Sequence, residues 1–501
     1  MQTTSESEQH NGVHLREWGV IAFILVGAAI ARGHGLTDGG LTLDEGYSLI
    51  QSERSLLDIF LLNRFDANPP FYLATLHVWR AMFSELELAG KSLSMLAGVL
   101  GVFGVWLAAR ERFGSAAGVA ASLIVAANAF HIHHSQEIRG YSLLFAAVAF
   151  ADYFSVRWDN RGGSRVLLLW SITSWFAVNI HHFAWYFVAL QVAGVMSWRG
   201  DAERRKPMFV ALGCVVLASS PMLASFVIHL TVHQSQNWIP LRPFDNLIVI
   251  LGAIGGRPPV AWGVWGMALL GVIACALASR SIRPLEFLLK PPIPRGAARY
   301  FVVLLLQLLL PVLLWIGSHA LFPMLLSRYC LIAVLPLAVL AGGGVASLRS
   351  RFVLAALAIV FLWGSKAPFE RLHEDEQKLA YLQDWAEIVE SEYRDGDVVL
   401  YTDKHSFVPS IALHPVEMDE YLLPELVGAN RSSVLTHYTA REVRRPPLEP
   451  GDYRRLWLVK RKGEAISRLL RDKWLARVSP ELIRRVPNSE IYLFRLHGQR
   501  P

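Results

Sequence analysis

Charged residues are scarce in this 501-residue chain, where Asp, Glu, Lys and Arg make up 18% and hydrophobic residues 53%. The chain has three cysteines, all within apolar runs, where they act as small hydrophobic residues and not as a disulfide framework: Cys214, Cys275 and Cys330. Neither a P-loop nor a glycine-rich dinucleotide fingerprint occurs, so nucleotide binding has no motif to support it. This composition argues against a series of ordinary soluble domains.

Long apolar runs recur through the first three quarters of the sequence. Many approach the roughly 20 residues that an α-helix needs to cross a hydrocarbon core of about 30 Å. We therefore expect a polytopic α-helical membrane protein with about eleven transmembrane helices. The predicted spans are 17–32, 92–109, 115–130, 140–156, 166–181, 183–198, 208–228, 259–279, 301–317, 329–347 and 352–365. A further apolar stretch, 247–256, is too short to cross alone and predicts a re-entrant or interfacial helix, which leaves the count open by about two.

Basic residues indicate the orientation. With the N-terminus inside, five short inner loops hold 16 Lys and Arg, whereas the short outer loops hold four. Because short cytoplasmic loops collect positive charge, this assignment places the loop 33–91 and the segment 366–501 outside. The net charge of +7 is thereby explained without a nucleic-acid partner. Histidines are absent from the five inner loops, so any chemistry is expected at the outer face.

Two domains follow from this pattern. Residues 1–365 form the predicted transmembrane domain, with short amphipathic helices lying on the membrane in its large outer loop 33–91. Residues 366–501 form a predicted small α/β domain. Its predicted strands are 397–403, 454–461 and 490–497, and its predicted helices are 375–394 and 464–475.

The stretch "LTLDEGYSLIQS" places Asp44 and Glu45 side by side just after the first span. Thr42 and Glu45 fit the capping box of a helix start, and Asp44 would then favour the positive end of the helix dipole. A carboxylate held in this way can also act as a general base. The structural and catalytic interpretations do not exclude each other.

A second polar cluster, "HIHHSQEIRGYSLL", enters the fourth span. A solvated turn would explain it, but Arg139 and Tyr141 lie within the membrane, where polar groups are costly unless paired or functional. We therefore expect Glu137, Arg139 and Tyr141 to contact a substrate. The other substrate-binding candidates on the outer side are Tyr72, His182 and Arg328.

Metal binding has weak support in the sequence. Adjacent and alternating histidines do not share one helical face, and a zinc site needs three or four converging ligands. We predict no resident metal site, while a divalent cation that bridges carboxylates and phosphate stays an open alternative. Arginines suit a phosphate and carboxylates accept a hydroxyl proton, so the set as a whole suits a lipid-phosphate substrate.

Four blocks carry a family resemblance: "LDEGYSL", "NPPFYLATLHVW", "SQEIRGYSLL" and "SRYCLIAVLPLAVLAGGG". In their order and topology they resemble GT-C glycosyltransferases of the family 39 type, which include protein O-mannosyltransferases and the aminoarabinose transferase acting on lipid A. One departure is Asn68 before the proline pair, where relatives commonly have histidine. The resemblance covers most of the chain and carries nothing over to the C-terminal domain.

The resemblance implies inverting transfer of a sugar from a polyprenyl-phosphate carrier at the outer face of the bacterial cytoplasmic membrane. Asp44 matches the acidic residue to which the family's catalytic role is assigned, here that of a general base; Glu45 would assist it, and Arg139 and Arg328 match arginines that hold the carrier phosphate. The acceptor stays open between a lipid, a polysaccharide and a protein. Two other classes also stay open: a transporter or flippase for a lipid-linked substrate, and a scaffold that binds envelope partners.

Overall fold

The computed structural model describes residues 2–37, 41–61, 68–196, 202–232, 239–256, 260–280, 297–348, 389, 391–401, 420–422, 453–461, 481–486 and 489–495. The helices in these ranges are α1 Gln2–Gly33, α2 Leu43–Ser52, α3 Leu56–Leu61, α4 Phe71–Arg80, α5 Leu86–Phe113, α6 Ser115–Ala126, α7 Ala129–His134, α8 Tyr141–Arg161, α9 Ser164–Ile180, α10 Ala184–Met196, α11 Ala202–Val232, α12 Phe244–Gly255, α13 Val260–Arg280, α14 Ala297–Leu308, α15 Leu310–Ala320 and α16 Val334–Ser347. A 3₁₀ helix, Ser327–Ala333, leads directly into α16.

Several helices are long and apolar enough to cross a membrane. Among the described residues, Leu86–Phe113, Arg205–Val227 and Ser327–Ser347 meet this requirement singly, and two bent pairs meet it jointly. Ten of the eleven predicted spans coincide with helices, whereas 352–365 lies outside the described residues. The helices therefore bear out a helical membrane domain, and the count of eleven stays a prediction.

The apolar stretch 247–256, judged too short to cross alone, forms helix α12. Its axis makes an angle of 81° with that of α13, as in a broken span or a re-entrant loop. Helices α14 and α15 are likewise bent, by 44°, within the predicted span 301–317. Pro311 at the start of α15 accounts for that bend, because proline cannot donate the hydrogen bond that would continue α14.

The glycines near the end of α16 allow neighbouring helices to approach closely. A Cβ atom on Gly342 would meet the Ala117 carbonyl oxygen of α6, and one on Gly344 would meet the Met267 carbonyl oxygen of α13. Gly271 of α13 faces the α16 backbone in the same way. Because lipid supplies no hydrophobic drive between apolar helices, close backbone packing stabilises their association. The "AGGG" segment thus allows α16 to pack closely against both α6 and α13.

An ion pair is buried between α5 and α8. Arg112 Nη2 donates to Asp152 Oδ1 at 2.8 Å, Nη1 lies 2.8 Å from Oδ2, and both side chains are inaccessible to solvent. Asp152 lies within the predicted span 140–156, and its partner is a cation of the neighbouring helix α5. Each charge in this pair offsets the cost of burying the other.

We expect Asp152→Ala to lower the free energy of unfolding by about 3–5 kcal/mol, because it leaves Arg112 buried without its counter-ion. Replacing both residues by leucine removes both charges, so the double variant should unfold much closer to the wild type. Thermal unfolding in detergent would measure both. A double variant as unstable as Asp152→Ala would show that packing, and not charge, stabilises this contact.

The C-terminal strands form one sheet. They are β1 Asp397–Tyr401, β2 Glu420–Leu422, β3 Arg455–Arg461, β4 Glu481–Val486 and β5 Ser489–Arg495, in the spatial order β2-β1-β3-β5-β4. Strand β1 is parallel to β2 and β3, whereas β5 is antiparallel to β3 and β4. The three predicted strands are confirmed, and β2 and β4 were missed. The predicted helices 375–394 and 464–475 lie almost wholly outside the described residues.

By its internal contacts the chain divides into two units. One comprises residues 1–34, 60–72 and 92–370, and the other comprises 35–59, 73–91 and 371–501. The predicted domain boundary at 365 and 366 falls outside the described residues, so it stays a prediction. The first unit holds most of the apolar helices, and the second holds α2, most of α4 and the sheet.

Candidate functional site

The short helix α7 is anchored at its start and its side. Asn128 Oδ1 accepts a hydrogen bond from the His131 amide at 2.9 Å, and Asn128 Nδ2 donates to the Ile254 carbonyl of α12 at 3.0 Å. The buried Arg32 of α1 donates from Nη2 to His131 Nδ1 at 2.9 Å and to the Val125 carbonyl at 3.0 Å. These bonds hold α7 against α1, α6 and α12.

The turn 135–140, between α7 and α8, is held by two further hydrogen bonds. Gln136 Nε2 donates to the His34 carbonyl at 2.9 Å, and Ser142 Oγ donates to the His134 carbonyl at 2.6 Å. Its side chains are therefore presented from a fixed backbone. Such preorganisation is what a binding site requires.

Tyr72 packs directly on this turn. A Cβ atom on Gly140 would lie 3.1 Å from Tyr72 Cβ and Cγ, so a larger residue there would displace Tyr72 by a few tenths of an ångström, although the φ of −70° suits any residue. Ser94 Oγ of α5 donates to the Arg139 carbonyl at 3.4 Å. Arg139 and Tyr141, on either side of Gly140, are thus placed together with Tyr72.

Two arginines from distant parts of the chain converge on one aromatic ring. The Cζ atoms of Arg139 and Arg328 lie 5.9 and 6.0 Å from the ring centroid of Tyr141. The ring of Tyr329 lies 6.3 Å from that of Tyr141 and 4.9 Å from that of His181. Both arginines also act electrostatically on His181. We call these five residues the arginine cluster.

His181 contributes a hydrogen-bond donor to the arginine cluster. Its Nδ1 accepts from the Phe183 amide at 3.3 Å, so the neutral ring carries its proton on Nε2. This Nε2 is buried and has no hydrogen-bond partner in the part of the chain that the structure describes. An unsatisfied buried donor is costly. An anion beside the two guanidiniums would satisfy it.

His182 points elsewhere. Its ring lies 4.0 Å from that of Phe226 in α11, whereas the neighbouring His181 contacts Tyr329 and Tyr141. The sequence placed Arg139, Tyr141, Arg328 and Tyr72 among the binding candidates. The structure brings the first three together and packs Tyr72 on the adjacent Gly140. The sequence missed His181 and Tyr329, although each is adjacent to a candidate. The sequence of two adjacent polar residues, such as His-His or Arg-Tyr, does not indicate which of them contacts the Tyr141 ring.

Glu137 is held between two histidines at the end of α7. Its Oε2 lies 2.6 Å from His134 Nδ1, and its Oε1 lies 3.4 Å from His133 Nε2. Burial raises the pKa of Glu137, but the charges and hydrogen bonds of His134 and His133 outweigh burial and hold that pKa well below its usual range. Glu137 is therefore a carboxylate at neutral pH.

In the second unit, Glu45 completes the predicted capping box of α2. Its Oε2 accepts from the Thr42 amide at 2.8 Å and from Thr42 Oγ1 at 2.7 Å, and its side chain is buried. The half-buried Asp44 lies outside this box. Burial raises the pKa of Tyr47, and the negative charge of Asp44 raises it further. Glu45 thus has a structural role, and the catalytic role of either carboxylate stays a prediction.

The apolar helices define a polytopic membrane protein, and the class of fold emerges from comparison with solved structures. ArnT from Cupriavidus metallidurans in the apo state aligns with a TM-score of 0.52 and 13% identity, over 96% of this chain and 99% of that chain. The same ArnT bound to undecaprenyl phosphate gives a TM-score of 0.47 and 15% identity over the same shares. The Archaeoglobus fulgidus oligosaccharyltransferase in complex with zinc and sulfate gives a TM-score of 0.48 and 12% identity, over 88% of this chain and 68% of that chain.

The chain has the fold of the GT-C glycosyltransferases, as the sequence resemblance implied. The alignment with apo ArnT supports this assignment, because its TM-score exceeds 0.5 and it covers nearly all of both chains. At 13% identity it establishes the fold and not the activity. No protein-family model matches the sequence, and no curated protein matches it in sequence.

Proposed function

We propose that the protein is an inverting glycosyltransferase that moves a sugar from a polyprenyl-phosphate carrier to an acceptor. The reaction takes place at the outer face of the bacterial cytoplasmic membrane, with the N-terminus inside and residues 366–501 outside. The acceptor is a hydroxyl group of a lipid, a polysaccharide or a protein. The basic residues of the short inner loops support this orientation.

The observation that carries the proposal is the arginine cluster. Guanidiniums recognise phosphate oxygens with a planar fork of donors, and the buried Nε2–H of His181 adds a third donor of the kind an anion needs. The rings of Tyr141 and Tyr329 add apolar surface beside these donors. A phosphate attached to a lipid chain combines both features.

The chemistry requires a leaving-group site and a base. As the acceptor oxygen attacks the anomeric carbon, the bond from that carbon to the phosphate oxygen breaks, and the phosphate gains negative charge that Arg139 and Arg328 stabilise. The acceptor hydroxyl loses its proton to Asp44 as the new bond forms. Glu45 supports the start of α2, from which Asp44 projects.

Incubation of the purified full-length protein with a panel of polyprenyl-phosphate sugars and membrane extract tests the proposal. We expect release of free polyprenyl phosphate, together with labelled sugar on an acceptor, for at least one hexose or pentose donor. The Arg139→Ala, Arg328→Ala double variant is the control for a contaminating enzyme. Movement of intact labelled donor across vesicles without release of carrier would replace the proposal with a flippase.

A further inference from the structure

The end of α7 brings together three side chains that bind transition metals. His133, His134 and Glu137 each offer a ligand atom, and these atoms lie within 4.8 Å of one another. The sequence argued against such a site because adjacent histidines point away from each other on a helix. The structure overcomes this because α7 ends at His134 and the following turn folds Glu137 back between the two rings.

The distances fit a small ion after modest side-chain movement. Ligands about 2.0–2.1 Å from a tetrahedral zinc ion lie ~3.3 Å from one another. The carboxylate of Glu137 lies 2.6 Å from His134 Nδ1 and 3.4 Å from His133 Nε2, with the backbone of the turn already fixed. The present hydrogen bonds require protons on these two nitrogens, and a divalent cation would replace both protons between the same atoms.

We propose that His133 Nε2, His134 Nδ1 and the Glu137 carboxylate bind one divalent transition-metal ion of the zinc class. Two imidazoles and a carboxylate favour zinc over magnesium, which prefers oxygen ligands alone. Three protein ligands leave a fourth position for water or a substrate oxygen. His134 is buried, whereas His133 is half-exposed, so the cluster is reachable from solvent on one side.

The position of the ion gives it a role that rests on the proposed function. The ring of His134 lies 5.7 Å from that of Tyr141, the residue on which Arg139 and Arg328 converge. A metal ion there would add positive charge next to the arginine cluster. Its contribution would be to hold a phosphate or acceptor oxygen, as a Lewis acid beside the departing anion.

Metal analysis of the purified full-length protein, carrying a tag without histidines, tests the site. The protein is stripped with a chelator, dialysed against zinc alone or magnesium alone, and its metal content is measured by mass spectrometry. We expect about one zinc ion per chain and no retained magnesium. His133→Ala and Glu137→Gln should each weaken zinc binding more than the roughly 10–100-fold that is typical when a residue hydrogen-bonded to a metal ligand is removed, because each of these variants removes a ligand itself.

His319→Ala is the matched control, because His319 is an exposed histidine whose Nδ1 contacts the Trp315 carbonyl of its own helix. It should retain zinc at the wild-type level. His133 is half-exposed, so its removal leaves the packing intact and a loss of zinc reports the ligand. Zinc retained by the His133→Ala, Glu137→Gln double variant, or absent from the wild type, would overturn the site. Because metal content needs no turnover, failure of the proposed transfer reaction would be seen separately.

Discussion

Replacing Arg139 or Arg328 by alanine should lower kcat for a polyprenyl-phosphate donor by about 10²–10³-fold, and replacing both should lower it further. The reason is that the Cζ atoms of both guanidiniums lie about 6 Å from the Tyr141 ring centroid, and in the proposed mechanism both contact the carrier phosphate. Each removal takes away a donor that strengthens as charge develops on the leaving group. Steady-state release of free polyprenyl phosphate measures the effect.

Two further variants separate phosphate recognition from general positive charge. Arg139→Lys keeps the charge and loses the planar fork, so it should recover only part of the activity. Arg161→Ala removes an exposed arginine at the end of α8, the helix that follows Arg139 in the chain; Arg161 pairs with Glu111. This variant should keep wild-type turnover. Arginine-cluster variants that turned over like Arg161→Ala would contradict a phosphate site there.

Asp44→Asn should reduce transfer by about 10²–10⁴-fold, the range of general-base catalysis, with little change in folding. The amide keeps the size of the side chain and loses the ability to take a proton. Donor turnover and thermal unfolding should be measured on the same preparation. A variant with normal unfolding and wild-type turnover would remove Asp44 from the mechanism.

The same loop supplies two controls for Asp44. Glu45→Gln keeps the capping box, since glutamine serves in that position, so any loss of turnover reports the carboxylate charge. Asp58→Asn changes an exposed carboxylate near the start of α3 that accepts a hydrogen bond from Ser55 Oγ at 2.6 Å. We expect Asp58→Asn to leave turnover unchanged and Glu45→Gln to lose less activity than Asp44→Asn.

The helical architecture and the capping box were predictable because both depend on short-range pattern. A membrane-length apolar run needs no knowledge of its neighbours, and Thr42 reaches Glu45 within one helical turn. The same holds for β1, β3 and β5, whose apolar runs are continuous. The edge strands β2 and β4 are short or carry charges, so their sequences lack that signal.

The composition and order of residues by themselves determined a polytopic helical protein and its family resemblance, and they predict that its polar groups lie at the outer face. Only the tertiary structure decided that Arg139, Arg328, His181 and Tyr329 surround Tyr141, and that Glu137 lies between His133 and His134. The physical reason is that helix packing and turn geometry bring together residues far apart in the chain. Which member of an adjacent pair faces inward depends on where each helix ends, as at Ile180 and His134.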